Sequence, residues 1–350
     1  MAACERCLRR AALLARLAPN VERVATADRG SRSGELLALA DEELAASMGA
    51  DDRELELPGA GGSTCRHRGD YPPALRHLGD SAPYALWMRG DRSLLRRLAV
   101  GPSATIVGAR RATAYGRETA HELGLLLAGA GVIVISGLAY GIDAAAHRGS
   151  LDAGGPTIAV LGCGADVAYP VGNRALYERI AAEGLVLSEY PPGFTPWRWT
   201  FPARNRIMAA LGTVIVVVEA AERSGSLITV RQAQGLGREV GAVPGPVSSR
   251  YSRGSNALLA DGAFPVLGAE SVLDELLGPG VWRPPESEPI EDPALAAILE
   301  RVEAGDATPD AIARGAGLDA ASVSSGLARL ELLGRVRADA AGRYLPRRHA

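Results

Sequence analysis

Ala104-Thr-Ile-Val-Gly-Ala-Arg110 and Val132-Ile-Val-Ile-Ser-Gly137 each run a short apolar strand into a turn of small residues. Thr157-Ile-Ala-Val-Leu-Gly-Cys-Gly164 does so again, and Thr213-Val-Ile-Val-Val217 leads into Glu219. A later turn, Ser224-Gly225-Ser226, opens a helical stretch. Helical spacing is read over 115–128, 142–153, 174–183, 205–211 and 227–236. This strand–helix alternation predicts an α/β fold, a doubly wound parallel sheet. Such a sheet gathers its strand ends on one edge. Glycine-rich turns that open helices there expose backbone N–H groups suited to anionic phosphate. Several such turns suit a long phosphate-bearing ligand as readily as a single nucleotide.

The chain has 350 residues, enough for two or three domains. Its formal net charge is −2, so any case for nucleic acid rests on local patches. No run reaches the ~18 apolar residues of a membrane span. Arg9, Arg10 and Arg16 interrupt the apolar start, which lacks the order of a signal peptide, so the chain reads as cytoplasmic. All 38 basic side chains are arginine. The absence of lysine rules out a Walker-type phosphate loop and a lysine Schiff base. Any phosphate grip is an arginine grip, always charged and able to bind bidentately.

Residues 1–66 read as a small helical domain, with helical spacing over 8–17 and 34–48 and a linker at Gly59-Ala-Gly-Gly62. The core is read over 67–278, with a first strand at Ala85-Leu-Trp-Met88. A proline-rich linker spans 279–292 and includes Pro284-Pro-Glu-Ser-Glu-Pro289. Residues 293–350 read as helices over 294–302, from 308 and over 321–332, followed by a hairpin through Gly334-Arg-Val-Arg337 and Arg343-Tyr-Leu345. Thr308 is the expected N-cap of the second, with Pro309 at its first position. Three helices and a hairpin is the winged-helix order. Arginines 329, 335, 337, 343, 347 and 348 make its end basic, while the third helix offers a groove only Arg329. That favours a protein-interaction or weak DNA role over sequence-specific readout.

Across the core the motifs resemble the DNA-processing protein A family (DprA, or Smf). The blocks, in order, are Gly108-Ala-Arg110 with Thr113-Ala-Tyr-Gly116, then Ser136-Gly-Leu-Ala-Tyr-Gly-Ile-Asp143 with His147. Ala159-Val-Leu-Gly-Cys-Gly-Ala-Asp166 follows, with Tyr169-Pro170 and Asn173. Ser188-Glu-Tyr-Pro-Pro-Gly193, Phe201-Pro-Ala-Arg-Asn-Arg206, Glu219, Ser224-Gly-Ser-Leu-Ile-Thr229, Pro244-Gly245, Gly254-Ser-Asn256 and Asp261-Gly-Ala263 complete the set. The N-terminal helices (of the SAM or helix-hairpin-helix kind) and the winged C-terminus fit the family's flanks by pattern. The resemblance implies a Rossmann-like core, sequence-independent binding of single-stranded DNA, homodimers, and loading of the recombinase RecA in natural transformation, without turnover chemistry. Where some relatives carry a basic residue after Tyr-Pro, this chain has Val171.

Such a binder needs phosphate contacts and stacking surfaces. Arg110, beside the backbone of Gly108 and Ala109, is the first candidate phosphate ligand. Arg204 and Arg206 flank Asn205, and one is expected to face the DNA edge and the other the protein. Ser136 and Gly137, like Ser224, Gly225 and Ser226, are candidate backbone donors, with a structural turn as the alternative for the latter three. Tyr169 and Phe201 are read as base-stacking rings or as packed loop anchors. Asn173 is expected to cap its helix. Asp143 and His147, one helical turn apart, are read as a cap and a packing residue ahead of a catalytic pair.

Four cysteines remain. Cys4-x-x-Cys7 with Cys65-Arg-His67 has the composition of a Cys3His zinc site, with unpaired thiols as the alternative. Cys163 is read as a small residue filling a tight turn. The enzymatic rival is a nucleotide-binding or nucleotide-hydrolysing enzyme similar to the lysine-decarboxylase-like phosphoribohydrolases. Their P-G-G-x-G-T-x-x-E signature meets Ser224-Gly-Ser-Leu-Ile-Thr-Val230 here, without the glycine pair or the glutamate. No G-x-G-x-x-G follows the first strand, against a dehydrogenase. A transcription regulator would leave the large core unexplained.

Overall fold

The computed structural model describes residues 2–27, 37–48, 55–282, 289–338 and 342–346. They divide into two compact units between Trp282 and Arg283. Apart from Pro289, the quoted proline-rich run lies outside the described residues.

The first unit is built on one sheet. Its strands are β1 (Ser63–Cys65), β2 (Ala85–Gly90), β3 (Ser103–Val107), β4 (Ile133–Ser136), β5 (Thr157–Leu161), β6 (Leu185–Ser188), β7 (Val214–Val217), β8 (Glu239–Ala242) and β9 (Phe264–Pro265). They lie in the order β1-β2-β6-β5-β4-β3-β7-β8-β9. β6 through β9 pair in parallel, with Thr105 of β3 opposite both Ile135 and Ile215. β2 runs antiparallel to β6, and β1 to β2. From β3 the chain winds outward through β4, β5 and β6, then returns to place β7 on the other flank of β3. The loops after β3 and β7 therefore diverge and leave a crevice beyond their carboxyl ends.

Among the described helices are α1 (Glu5–Ala27), α2 (Asp41–Met48), α3 (Ser93–Arg97), α4 (Ala114–Gly129), α5 (Ile142–Asp152), α6 (Arg174–Glu183), α7 (Thr200–Leu211), α8 (Ser226–Gly235), α9 (Arg253–Ala260) and α10 (Ala269–Leu277). α4, α5 and α10 bury their apolar stripes against Ala104, Ile106, Val134, Val214 and Val216. α7, α8 and the 3-10 turns of Pro73–Ser81 cover the opposite face, against Val107, Ile133, Ile135, Ile158 and Ile215. Alternate residues of β3 thus serve opposite layers, as the period of a strand requires.

The five core helices read from spacing are present, α7 with an earlier start. Of the helix read over 34–48, residues 34–36 lie outside the described residues, 39–40 are not helical and α2 begins at Asp41, while α3, α9 and α10 were not read from the sequence. α7 begins at Thr200, five residues before the predicted start. Pro202 sits in its first turn, where the backbone N–H groups have no intrahelical acceptor and proline is tolerated. The N-terminal segment is not a separate helical domain ending at 66. Cys7, Leu8 and Ala11 of α1 share a core with Trp87 and Tyr177, and Leu13 and Leu17 pack with Tyr190 and Trp199. Ser63–Cys65, at the end of that segment, is already a strand of the sheet, so Ala85–Gly90 is the second strand and the Gly59–Gly62 run is the turn before β1.

The second unit packs α11 (Pro293–Glu303), α12 (Pro309–Ala316) and α13 (Ala320–Leu332) around Leu295, Ile298, Ile312, Val323, Leu327 and Leu330. β10 (Val336–Ala338) and β11 (Tyr344–Pro346) form the antiparallel wing, whose turn at 339–341 lies outside the described residues, as do Arg347 and Arg348. Each helix start carries its cap: Asp292 Oδ1 accepts from Ala294 N–H, Thr308 Oγ1 from Ala311 N–H and Asp319 Oδ1 from Ala321 N–H. Arg329 is an exposed residue paired with Asp292 at 2.9 Å.

Candidate functional site

A cleft of about 550 Å³ opens at the strand switch. The turn after β3 contributes Gly108 and Arg110, the loop after β4 contributes Ala139, and the first turn of α5 contributes Asp143. α7 lays Phe201, Arg204 and Asn205 along one wall, and Ser224, Gly225 and Ser226 bring the start of α8 to another. Tyr169 and Arg198 complete the rim.

Arg110 is exposed, and its guanidinium carbon lies 5.2 Å from the centre of the Phe201 ring. Tyr169 stands beside the same ring, with centroids 5.6 Å apart and planes tilted by 34°. Tyr169 is exposed and Phe201 half-buried, so a cation and two rings form one ledge facing the cleft. Both rings are packed against each other and available from solvent, which joins the two readings of the sequence. Arg198 and Tyr140, each exposed at this edge, were not singled out by sequence reasoning. The cue for Arg198 was its place in Trp197-Arg198-Trp199, a basic residue between aromatics ahead of α7.

Arg204 and Arg206 part company because residues two apart on a helix point about 200° from each other. Arg204 turns toward the cleft but is only 4% exposed. It donates to the carbonyls of Gly137, at 2.8 Å, and Val160. A Cβ on Gly137 would stand 2.3 Å from Arg204 Nη1, so glycine is required for this approach. Burial lowers the pKa of Arg204, against the opposing pull of Asp143. Burial likewise pushes the Asp143 carboxyl up, while Arg204, the Ala139 N–H and Arg110 pull it down. Arg206 faces away from the cleft: it forms a bidentate pair with Glu189, both contacts at 2.6 Å, and donates to Ser81 O at 2.8 Å. As a DNA-contact candidate it is corrected to a structural tie between α7, the end of β6 and the 3-10 turns.

Three further candidates are corrected by their partners. Ser136 is fully buried, and its hydroxyl donates to Ile106 O at 2.6 Å. The Gly137 N–H donates to Asp143 Oδ2 at 3.2 Å, and the Ala109 N–H to Glu219 O at 2.7 Å. None of these groups faces the cleft as a spare donor. Asp143 caps the loop before its helix, since Ala139 N–H also reaches Oδ2 at 3.3 Å. Leu138 between them takes φ 57°, a left-handed conformation uncommon outside glycine. Asn173 does not cap α6; its Nδ2 donates to Leu138 O at 2.9 Å and braces that strained loop. His147 is buried with Nδ1 2.7 Å from the Thr157 hydroxyl, and burial lowers its pKa to about 3. It packs in the core, as read.

Ser224 and Ser226 join through their hydroxyls at 2.7 Å, and Asn205 Nδ2 reaches Gly225 O at 3.4 Å. These bonds hold the amino end of the ten-residue α8 against the cleft, where the helix dipole favours an anion. The lining thus offers three guanidinium groups against the single carboxyl of Asp143, with rings within reach of the cations. This combination is chemically suited to a phosphate chain and a base face together.

At the far edge of the sheet, Cys4, Cys7, Cys65 and His67 converge, their ligand atoms all within 4.8 Å of one another. Cys163 stays apart in its turn, its thiol donating to Val167 O at 3.4 Å.

Residues 63–277 match the model of the family described as DNA recombination-mediator protein A, and residues 283–342 match the DprA winged helix domain. A DprA relative of Mycobacterium tuberculosis strain H37Rv is 40% identical over 94% of this chain and 88% of its own. The crystal structure of DNA processing protein A from Streptococcus pneumoniae aligns with a TM-score of 0.60 at 33% identity, covering 77% of this chain and 96% of that one. DNA processing protein A of Helicobacter pylori, whose structure is described in terms of its single-stranded DNA binding mode, aligns with a TM-score of 0.54 at 33% identity over 59% of this chain and 92% of its own. By the family models, the long alignment and the shared fold, this chain belongs to the DNA recombination-mediator protein A family, DprA/Smf.

Proposed function

We propose that the cleft at the strand switch binds single-stranded DNA without base specificity. Arg110 and Arg198 hold phosphates, Gly108 lets the turn pack against Ile142 and the Glu219 backbone, and the α8 start at Ser224, Gly225 and Ser226 receives a further phosphate. Arg204 adds charge from beneath, and Phe201 and Tyr169 stack on bases. The observation that carries this reading is the ledge itself: an exposed guanidinium 5.2 Å from an accessible ring that touches a second ring. A double helix keeps its bases stacked on one another, so rings placed beside the phosphate site select the single strand. The family membership and the Helicobacter relative support the same ligand.

In this reading the protein is a binding protein of the cytoplasm, without turnover, acting as a homodimer that protects incoming strands and passes them to RecA. The small exposed side chains of α13, with Arg329 held by Asp292, fit a protein contact better than base readout. Among the described residues no helix is long and apolar enough to cross a membrane. The test is fluorescence anisotropy of the full chain with unstructured single-stranded and double-stranded oligonucleotides across a salt series. Tight, salt-sensitive and sequence-indifferent preference for the single strand is expected. Weak binding to both, with measurable binding of nucleotides, would replace this reading with the small-nucleotide one.

A further inference from the structure

Two ligand pairs about sixty residues apart meet at the edge of the sheet. Cys4 and Cys7 lie at the start of α1; Cys65 ends β1, and His67 follows in the next turn. Cys4 Sγ and Cys65 Sγ are 3.7 Å apart, and His67 Nδ1 is 3.3 Å from Cys4 Sγ and 3.4 Å from Cys7 Sγ. A tetrahedral zinc ion with Zn–S of about 2.3 Å and Zn–N of about 2.0–2.1 Å spaces its ligands about 3.8 Å (S···S) and about 3.6 Å (S···N) apart. These three separations lie within about 0.3 Å of that tetrahedron's edges, and all four ligand atoms lie within 4.8 Å of one another.

Packing alone does not explain the convergence. Cys7 and Cys65 are fully buried beside Ala3, Leu8 and Trp87, where alanine or valine would serve. A disulfide would use two sulfurs and leave the third thiol and the imidazole aimed at the same point. Around the four atoms the backbone is fixed in place: Ala3 N–H donates to Ser63 Oγ at 3.0 Å and Arg68 Nε to Ala2 O at 3.1 Å. The Cys4 N–H donates to Cys65 Sγ at 3.4 Å, the kind of outer bond that steadies a metal-bound thiolate.

We propose that Cys4, Cys7, Cys65 and His67, through Nδ1, hold one structural zinc ion that staples α1 to β1. Three thiolates and one imidazole fill a tetrahedron and leave no open position, so the site is structural and not catalytic. Soft sulfur ligands select zinc over magnesium or calcium, which take oxygen. The site lies apart from the DNA cleft and does not depend on the function proposed for it.

The experiment is metal analysis of the purified full chain, with cobalt substitution. One zinc per chain is expected in the wild type and in Cys163→Ser, whose cysteine is elsewhere. Cys7→Ser and Cys65→Ser should each retain less than about a tenth of that, and His67→Cys should keep it. If the serine variants fail to fold, the wild-type cobalt form decides: tetrahedral d–d bands with thiolate charge transfer support the site. Equal zinc in the wild type and folded Cys7→Ser and Cys65→Ser, iron in place of zinc, or an octahedral cobalt spectrum overturns it.

Discussion

Replacing Arg110 by alanine separates the proposed interface from the fold that carries it. Arg110 is exposed and is held over Phe201 at 5.2 Å. The folded chain loses little without it, since surface substitutions away from packed features stay within about ±0.5 kcal/mol. In the complex it contributes one charge-assisted phosphate contact, worth about 1.5–3 kcal/mol. At the middle of that range, about 2 kcal/mol, single-strand affinity falls roughly 30-fold, since about 1.4 kcal/mol is a factor of ten. Losing one phosphate contact also flattens the slope of log K against log salt by about 0.7 for a single strand.

The assay is anisotropy at four or more salt concentrations for wild type, Arg110→Ala and Arg110→Lys. Lysine keeps the charge but not the bidentate fork or the flat stacking face. Arg110→Lys should therefore lose affinity while holding the wild-type salt slope, and Arg110→Ala should lose both. Unchanged affinity and slope in Arg110→Ala would remove this residue from the interface. With it would go the argument that the cation and ring form one surface.

Four further outcomes test other parts of the structure. Arg206→Ala strips a buried bidentate pair from Glu189, a loss of about 3–5 kcal/mol; Tm should drop by roughly 10 °C, while the folded fraction binds DNA normally. Phe201→Ala should weaken single-strand binding by about 1–3 kcal/mol with the salt slope unchanged, because stacking releases no counterions. Gly137→Ala places a Cβ 2.3 Å from Arg204 Nη1; the displaced guanidinium should lower stability by about 1–3 kcal/mol and reduce DNA affinity. His147, with its pKa lowered to about 3, takes up its proton only in the unfolded chain between about pH 6.5 and 3, so stability is full above that window and falls as pH drops through it. Denaturant titrations across the window should show a shallower fall in His147→Gln.

β6 (Leu185–Ser188) and β8 (Glu239–Ala242) were not read as strands from the sequence, but β3, β4, β5 and β7 were legible because each is a compact apolar run that leads into glycine or a polar residue, and the helices between them keep their period. β1 was not: Ser63-Thr-Cys65 is three residues long and polar by composition. It becomes a strand only because Cys65 lies opposite Ala85 of β2 and α1 covers it, contacts made over long sequence separations. The start of α7 was hidden by Pro202, a residue that breaks helix interiors but not first turns. The four zinc-ligand candidates were legible as types and spacing; that they meet depended on where α1 docks, which no local pattern states.

Donors at the site were harder to read than its cations, for a physical reason. A glycine turn after a parallel strand exposes N–H groups only if nothing in the protein claims them. Here Asp143 takes those of Gly137 and Ala139, and the Glu219 carbonyl takes that of Ala109. Arg204 in turn satisfies the carbonyls of Gly137 and Val160. The loop after β4 is thus closed on itself by a buried carboxyl and a buried guanidinium. It shapes the cleft floor and sets its field, while in the proposed reading contact with a ligand falls to Arg110, Arg198 and the start of α8. A single nucleotide would call for a small pocket lined by unclaimed N–H groups. A floor closed in this way, under an exposed cation and two rings, instead suits a chain that lies across it, one phosphate and one base after another.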